Sequence, residues 1–278
     1  MKHGPVFTAK RIRGRETNSL HVVGEEKSNL RAKRVIFGQS GLEVSQVCFG
    51  TEHIVQCVPA YGGQILVDAA EIYGVFFIDT DMSYGSHPQV AAALQLRERS
   101  SFVISTKTYA KTEEEAQKDL NRIFVELNPL YIDIVLLHRV QSGELDERRP
   151  ALEFLIDAKE RRIIRSIGLS THSPDVAAAA ASMSEIEVVY VTLNKDGSRL
   201  DSGTMVEMTQ ALEQAHRNGK GTCVIKILNR GRLLPDLEGS LEWVLQYHEH
   251  IDVYCIGFHA LWEMREDLRI INEYLAIR

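Results

Sequence analysis

The chain has 278 residues, of which 44% are apolar and 25% charged, and its formal net charge is −6. This balance is typical of a globular protein with a large core and excludes a disordered chain. No apolar run approaches the roughly 20 residues that a membrane-spanning helix needs, and the polar N-terminus lacks the apolar core of a secretory signal. We therefore expect a cytoplasmic protein that binds neither membranes nor nucleic acid.

Charge is distributed unevenly along the sequence. Residues 1–34 carry nine Lys and Arg against three Glu, a net of +6, so residues 35–278 carry −12. A basic segment can contact nucleic acid or an anionic surface, but a solvated tail is the commoner case. We predict a basic, flexible arm over residues 1–33 and a single domain over residues 34–278.

The four cysteines are Cys48, Cys57, Cys223 and Cys255. No two have the Cys-x-x-Cys spacing, and three lie within apolar runs that resemble strands. This pattern predicts reduced cysteines in the core rather than a disulfide framework or a metal site.

After the arm, residues 34–38 and 42–45 flank a Gln-Ser-Gly turn and predict a small β-hairpin. Residues 46–51 then form the first short apolar strand. Seven further strands are predicted over residues 75–79, 102–106, 132–137, 164–169, 188–191, 224–228 and 253–258.

Amphipathic segments alternate with these strands. Thr112 and Glu115 form a capping-box signature for a helix over residues 113–127, and Asn128-Pro129 ends it. Pro88 and Pro174 lie where two other helices should begin. Further helices are predicted over residues 149–161, 205–217 and 262–275.

Eight strand-then-helix units with nearly continuous apolar strands predict a parallel sheet covered by helices. The length and the number of units favour an α/β fold of the closed (β/α)8 TIM-barrel type. No Gly-x-Gly-x-x-Gly follows the first strand, which argues against an open dinucleotide-binding sheet.

In such a barrel, side chains at the carboxyl ends of the strands converge on one mouth. Asp79 and Tyr84 follow the second strand, Lys107 the third and His138 the fourth. Taken singly, a lysine at a strand end usually reaches solvent, and a histidine after two leucines is usually a core residue. Other polar residues that follow strands are Glu52, Ser170, Thr171, His172, Asn194, Asn229 and Arg230.

The combination of an acid, a phenol, an amine and an imidazole has a chemical use. A phenol with a pKa of about 10 is a poor acid at neutral pH, and a nearby ammonium group lowers that pKa. A carboxylate keeps the amine charged, and an imidazole can orient a carbonyl oxygen. The set therefore predicts a general acid directed at a carbonyl that receives a hydride.

Several short motifs occur in order over residues 34–275. They are Gly41–Ser45, Phe49–Thr51, Phe77–Thr80 with Tyr84-Gly85, Ile104–Lys107, Asp133–His138 and Ile167–Ser170. With these motifs the chain resembles an aldo-keto reductase. The resemblance implies the same barrel, a carbonyl substrate reduced to an alcohol, and a catalytic tetrad of Asp79, Tyr84, Lys107 and His138 with Tyr84 as proton donor.

The resemblance also implies a nicotinamide cofactor. It places Gly50 and Thr51 along the cofactor, Ser170 and Thr171 near the carboxamide, and Tyr190 where relatives often carry Gln. The loop of residues 228–233 would follow the pyrophosphate. The full set of expected cofactor residues is Gly50, Thr51, Ser170, Thr171, Tyr190, Lys226, Leu228, Arg230, Gly231, His259, Glu263 and Asp267.

The residues expected to hold an adenosine 2′-phosphate depart from the family pattern. Relatives carry a Lys or Ser and an Arg there, and this chain has Phe258, His259 and Glu263, with Asp267 one turn later. Carboxylates repel a phosphate. The family implies NADP(H), and these replacements make NAD(H) a second candidate.

The sequence ends directly after the last predicted helix, which leads us to expect an open site. We also expect a monomer or weak homo-oligomer. One alternative is a cofactor-binding sensor or interaction subunit with little turnover, suggested by the altered cofactor positions and the basic arm. Another is an isomerase or lyase with a phosphate site at Arg230-Gly231-Arg232.

Overall fold

A computed structural model describes residues 30–277, so most of the predicted basic arm lies outside the described residues. Eight parallel strands close into a barrel in the order β10-β3-β4-β5-β6-β7-β8-β9, and a two-stranded antiparallel hairpin precedes it. The predicted (β/α)8 barrel and hairpin are confirmed. The hairpin consists of β1 (Arg34–Ile36) and β2 (Glu43–Ser45), and the barrel strands are β3 (Val47–Gly50), β4 (Phe77–Asp79), β5 (Val103–Thr108), β6 (Ile132–Leu137), β7 (Ile164–Thr171), β8 (Val188–Thr192), β9 (Gly221–Ile225) and β10 (Val253–Gly257).

Eight helices cover the outside of the barrel, and their ends follow local sequence signals. Thr112 and Glu115 form the predicted capping box at the start of α3, and Asn128 ends that helix in the left-handed conformation. The helices are α1 (Pro59–Tyr73), α2 (His87–Leu96), α3 (Glu113–Leu127), α4 (Arg149–Glu160), α5 (Pro174–Ser182), α6 (Met205–Arg217), α7 (Leu237–Leu245) and α8 (Leu261–Ala276). No helix in the described part of the chain is long and apolar enough to span a bilayer.

The barrel strands are buried on both faces, which explains their apolar runs. Side chains alternate along each strand, and this separates two apolar layers. On β6, Ile134 and Leu136 belong to the cluster inside the barrel, whereas Val135 and Leu137 pack beneath the helices. The inside cluster fills the lower part of the barrel and leaves the upper rim to polar side chains.

Strand β9 begins and ends earlier than the sequence indicates. It was expected over residues 224–228 and spans Gly221–Ile225, where it pairs with Val188–Thr192. The chain leaves the strand at Lys226, whose φ is 59°. The apolar pattern misleads because Ile227 remains buried beyond the strand end. Lys226 therefore lies on the rim of the barrel rather than within a strand.

The hairpin closes the amino end of the barrel. Phe37 is fully buried and packs edge-on against Phe77 and Tyr190, inside the barrel. The backbone of Gly38 approaches β9 so closely that a Cβ there would lie 2.1 Å from the amide nitrogen of Gly221. Only glycine fits this contact, which seals the end opposite the polar rim.

A buried charge network joins three strands near the closed end. Asp133 on β6 is fully buried and accepts the backbone N–H of Ile104 on β5 at 2.8 Å. Its carboxylate also pairs with Arg99 at 2.5 Å and with Arg165 on β7 at 2.7 Å. Because each carboxylate oxygen has a cationic partner, the pairing offsets the cost of burying Asp133, and the network links β5, β6 and β7.

Candidate active site

A cleft of about 1490 Å³ opens at the carboxyl ends of the strands. This is the end of the fold where barrel enzymes bind their ligands. All four residues of the predicted tetrad line the cleft, and so do eight of the twelve predicted cofactor residues. Those eight are Gly50, Lys226, Leu228, Arg230, Gly231, His259, Glu263 and Asp267.

A buried ion pair lies at the base of the cleft. Lys107 on β5 is 2% exposed, and its Nζ donates to Oδ2 of Asp79 at 2.6 Å and to the carbonyl of Thr80 at 2.8 Å. Burial raises the pKa of Asp79 to about 7, although Lys107 opposes this shift. Burial would lower the pKa of Lys107, but Asp79, Tyr84 and Asp81 together raise it well above its usual value. Lys107 is therefore a charged ammonium at neutral pH.

Tyr84 ends a short turn that follows β4. Asp81 begins this turn, and its side chain accepts the backbone N–H of Ser83 at 2.6 Å. Gly85 ends the turn with φ of 74°, a conformation suited to glycine. The turn places the ring of Tyr84 beneath the ammonium of Lys107, whose Nζ is 5.0 Å from the ring centroid. The phenol and the ammonium are thus held as a contacting pair.

The pKa of Tyr84 is shifted upward, whereas the nearby ammonium group alone would lower it. Burial raises this pKa, Lys107 lowers it, and Asp79 and Asp81 raise it further, so the net shift is upward. The phenol therefore keeps its proton at neutral pH. Lys107 moderates the cost of losing that proton without reversing the overall direction of the shift.

His138 is held at the rim by a serine. Ser170 accepts the backbone N–H of Arg139 at 2.9 Å, and its hydroxyl lies 2.7 Å from Nδ1 of His138. We assign the Ser170 hydroxyl as donor and Nδ1 as acceptor in this hydrogen bond. The ring proton is then on Nε2, which faces the cleft and lies 3.9 Å from Oδ2 of Asp81. Burial, with Lys107 adding to it, lowers the pKa of His138 to about 2. The imidazole is therefore neutral and can donate one hydrogen bond into the cleft.

The opposite side of the cleft holds a cluster of charges. Glu52, just after β3, accepts from Nζ of Lys226 at 2.9 Å and also pairs with Arg230. Burial opposes ionisation of Glu52, but Lys226 and Arg230 lower its pKa below the usual value. Lys226, Asn229 and Arg230 all have positive φ, between 45° and 59°. This loop brings Lys226 and Arg230 to the rim, where both pair with the carboxylate of Glu52.

The start of α8 forms the edge of the cleft beyond this cluster. The rings of His53 and His259 stack with centroids 4.8 Å apart. A Cβ on Gly257 would lie 2.8 Å from the His53 ring, so glycine allows this approach. Glu263 accepts the backbone N–H of His259 at 2.8 Å. The described cations that line the cleft come from other elements, and α8 contributes the carboxylates of Glu263, Glu266 and Asp267.

Four predicted cofactor residues do not line the cleft. Thr51 is fully buried and donates to the carbonyl of Asp79, and Thr171 donates to the carbonyl of Val140. Ser170 is engaged with His138. Tyr190 is fully buried inside the barrel against Phe37, so its ring does not face the cleft. Their hydroxyl and ring groups serve the fold and the orientation of His138.

Other side chains at the site were missed or given no role by the sequence reasoning. Asp81 is fully buried beside the tetrad, and its Oδ2 has no hydrogen-bond partner in the described structure. Its position between Asp79 and Tyr84 was a usable signal. Tyr109 packs edge-on against His138 at 4.7 Å, and it follows the end of β5 by one residue. The pairing of Glu52 with Lys226 had no sequence signal, because the two residues are 174 positions apart in the chain.

A closed parallel barrel whose mouth holds a buried lysine–aspartate pair, a tyrosine and a neutral histidine is a barrel with a candidate acid–base site. The family model for the aldo/keto reductase family matches residues 46–239, and the chain belongs to this family. A search of curated proteins gives no match.

Solved structures share the fold at low sequence identity. A Pseudomonas aeruginosa protein described as an aldo-keto reductase is 21% identical with a TM-score of 0.75, and the match covers 88% of this chain and 96% of that one. The holo form of an aldo-keto reductase from Bacillus halodurans is 16% identical with a TM-score of 0.71, covering 89% and 96% of the two chains.

Proposed function

We propose that the protein reduces an aldehyde or ketone to an alcohol, with a nicotinamide cofactor as hydride donor and Tyr84 as proton donor. The observation that carries this proposal is the buried Lys107–Asp79 pair held against the Tyr84 ring at the mouth of the barrel. A protonated phenol beside a permanent cation is suited to releasing a proton as negative charge develops on a carbonyl oxygen.

The side chains of the cleft fit a dinucleotide. Lys226 and Arg230 offer two cations suited to a pyrophosphate, and Gly50 leaves room beside the strand ends. The stacked His53 and His259 rings offer a face for an adenine. When bound, the cofactor supplies the hydride. As the cofactor enters, Lys226 and Arg230 would release Glu52 and pair with the pyrophosphate instead.

Each residue of the tetrad has a distinct task in this mechanism. His138 donates from Nε2–H to the carbonyl oxygen and orients it, which its neutral state allows. Tyr84 then delivers its proton to the same oxygen. Lys107 stabilises the phenolate that remains, and Asp79 keeps Lys107 in place. The balance of these effects would allow a phenol with a raised pKa to act as an acid in this site.

The test is the loss of reduced-cofactor absorbance with a panel of simple aldehydes. Tyr84→Phe keeps the ring and removes the acid, so we expect kcat to fall by about 10²–10⁴-fold while cofactor binding is retained. Tyr109→Phe is the matched control, because Tyr109 also lines the cleft and contacts His138. If the Tyr84→Phe variant turns over as fast as the wild type, another group donates the proton.

We further propose that the protein accepts NADH at least as well as NADPH. Support comes from the carboxylates that α8 contributes to the cleft, because they would repel the 2′-phosphate that only NADPH carries. Trp262 lies on the cleft and is 54% exposed, so its fluorescence can report binding of each cofactor.

Glu263→Gln tests this cofactor preference. The amide still accepts the N–H of His259 but carries no charge, so we expect NADPH to gain several-fold in affinity relative to NADH. Wild-type protein that binds NADPH far more tightly than NADH would overturn the proposal.

A second candidate function is a cofactor-binding sensor with little turnover. The raised pKa of Tyr84 favours it, since a phenol that holds its proton more tightly is a poorer acid for turnover. Cofactor binding without reduction of any aldehyde in the panel would support this function over the first.

A further inference from the structure

Three thiols meet inside the barrel, below the Lys107–Asp79 pair. Cys48 lies on β3, Cys223 on β9 and Cys255 on β10, the strand between them. All three residues belong to the same buried cluster inside the barrel. No three His, Cys, Asp or Glu side chains in residues 30–277 form a group suited to a metal ion. The three thiols therefore invite a redox explanation.

The register of the strands selects one pair of thiols. Cys48 and Cys255 are direct partners across β3 and β10. Neighbouring strands lie about 4.8 Å apart, which is within the Cα separation of about 4.4–6.8 Å that disulfides accept. Cys223 is the direct partner of Val253, so it is diagonal to Cys255, and diagonal neighbours are about 7–8 Å apart. Backbone geometry thus favours a bond between Cys48 and Cys255.

Access and reactivity select Cys255 as the first thiol to react. Cys255 is 8% exposed and lines the cleft, whereas Cys48 and Cys223 are fully buried. The neighbouring Cys223 and Cys48, together with the charge of Lys107, lower the pKa of the Cys255 thiol despite burial. A thiolate is the nucleophilic form of cysteine. A small oxidant that enters the mouth would therefore meet a reactive sulfur with a partner directly beside it.

We propose that Cys255 is a hydroperoxide-reactive site and that Cys48 resolves it into a disulfide between β3 and β10. The thiolate of Cys255 attacks one peroxide oxygen, so that an S–O bond forms, the O–O bond breaks and hydroxide leaves. That hydroxide takes the proton of Cys48 and becomes water, and the Cys48 thiolate attacks the sulfenic sulfur. The S–S bond forms, the S–O bond breaks, and the second hydroxide that leaves takes up the proton that Cys255 released when it ionised, which gives the second water. The two sulfurs are oxidised and the peroxide is reduced to two water molecules.

Mass spectrometry of the full chain after hydrogen peroxide treatment tests this proposal. We expect the mass of two hydrogen atoms to be lost, a Cys48–Cys255 peptide to appear, and thiol reductant to reverse both. Cys48→Ala should leave Cys255 as a sulfenic acid that a dimedone probe labels, whereas Cys255→Ala should suppress formation of the disulfide by at least about tenfold. These readouts do not depend on carbonyl reduction, so failure of the proposed enzyme activity leaves the test intact.

Cys57→Ala is the matched control, because Cys57 lies in the loop before α1 away from the other three thiols. It should form the disulfide as the wild type does. If a buried alanine variant does not fold, peptide mapping of the oxidised wild type decides alone. Oxidation confined to Cys57, a disulfide through Cys223, or Cys255 left as a free thiol would overturn the proposal.

Discussion

At the scale of single residues, Asp81 shows how one side chain positions the proposed acid. It is fully buried, and its carboxylate begins the turn that carries Tyr84 by accepting the N–H of Ser83. It also raises the pKa of Tyr84, so it acts on the phenol through both geometry and charge. The two effects can be separated by substitution.

We expect Asp81→Asn to retain the turn, because an amide oxygen can accept the N–H of Ser83, and to keep kcat within about threefold of the wild type. Asp81→Ala removes the acceptor and should lower kcat at least about tenfold as Tyr84 loses its position. Steady-state kinetics on both variants, with a melting curve to verify folding, makes the comparison. Equal losses in the two variants would contradict a positioning role.

The same scale shows which site residues a sequence can reveal. Asp79, Tyr84, Lys107 and His138 are foreseeable, because the carboxyl ends of buried parallel strands meet at one mouth. Ser170 and Thr171 follow the same rule but bond to His138 and to the carbonyl of Val140. Which partner a hydroxyl chooses depends on neighbours from other strands, and those neighbours are not specified by spacing along the chain.

At the scale of elements, the loop after β9 and the residue after β3 form one unit. Glu52 reaches past the end of β10 to pair with Lys226 and Arg230. Asn229 anchors the loop by pairing with Arg199 at 2.8 Å and Asp196 at 2.8 Å. The positive φ values of the loop point its cations at Glu52. A pyrophosphate and Glu52 would therefore compete for the same charges.

Glu52→Gln removes that competition. We expect dinucleotide affinity to rise several-fold at low ionic strength and the gain to shrink as salt screens the freed cations. Titration of Trp262 fluorescence at low and high salt measures both effects. Glu153→Gln, on the exposed face of α4, should bind as the wild type does. Unchanged or weaker binding by Glu52→Gln would mean that Glu52 does not compete for these cations.

Helix ends and one strand illustrate the limits of prediction at this scale. The Thr112–Glu115 capping box is a local signal, and α3 begins and ends where it indicates. The predicted bounds of β9 were three residues too late in the chain. The extent of this strand depends on pairing with Val188–Thr192 and on the close packing of Gly221 against Phe37. Local chemistry specifies helix termini, whereas partners distant in sequence specify strand register.

At the scale of the whole molecule, burial of neutral histidines makes stability depend on pH. Burial is the leading cause of a lowered pKa at four of them, His53, His87, His138 and His172. Each binds a proton more readily in the unfolded chain, so their contribution is complete above about pH 6.5 and is lost as pH falls towards the folded values. Asp79 and Asp252 have raised pKa values and act in the opposite direction.

With four groups against two, we expect a lower melting temperature at about pH 5.5 than at about pH 7.5. His138→Gln stays neutral and should show a smaller drop over the same interval, since one of the four contributions is removed. Calorimetry of both proteins at the two pH values measures the difference. A wild type that melts higher at the acidic value would show that these histidines do not control the acid response.

In the part of the chain that the structure describes, the hairpin seals the amino end of the barrel and leaves the rim at the carboxyl ends of the strands as the entrance. Phe37 and Gly38 block the lower opening, so traffic between bulk water and the interior passes the rim that holds Lys107 and His138. Oxidant, substrate and nucleotide then share one passage. A substrate or nucleotide bound there would shield the cysteines inside the barrel from the oxidant. The rate at which the interior sulfurs react with a peroxide would therefore serve as a direct gauge of how fully the entrance is occupied.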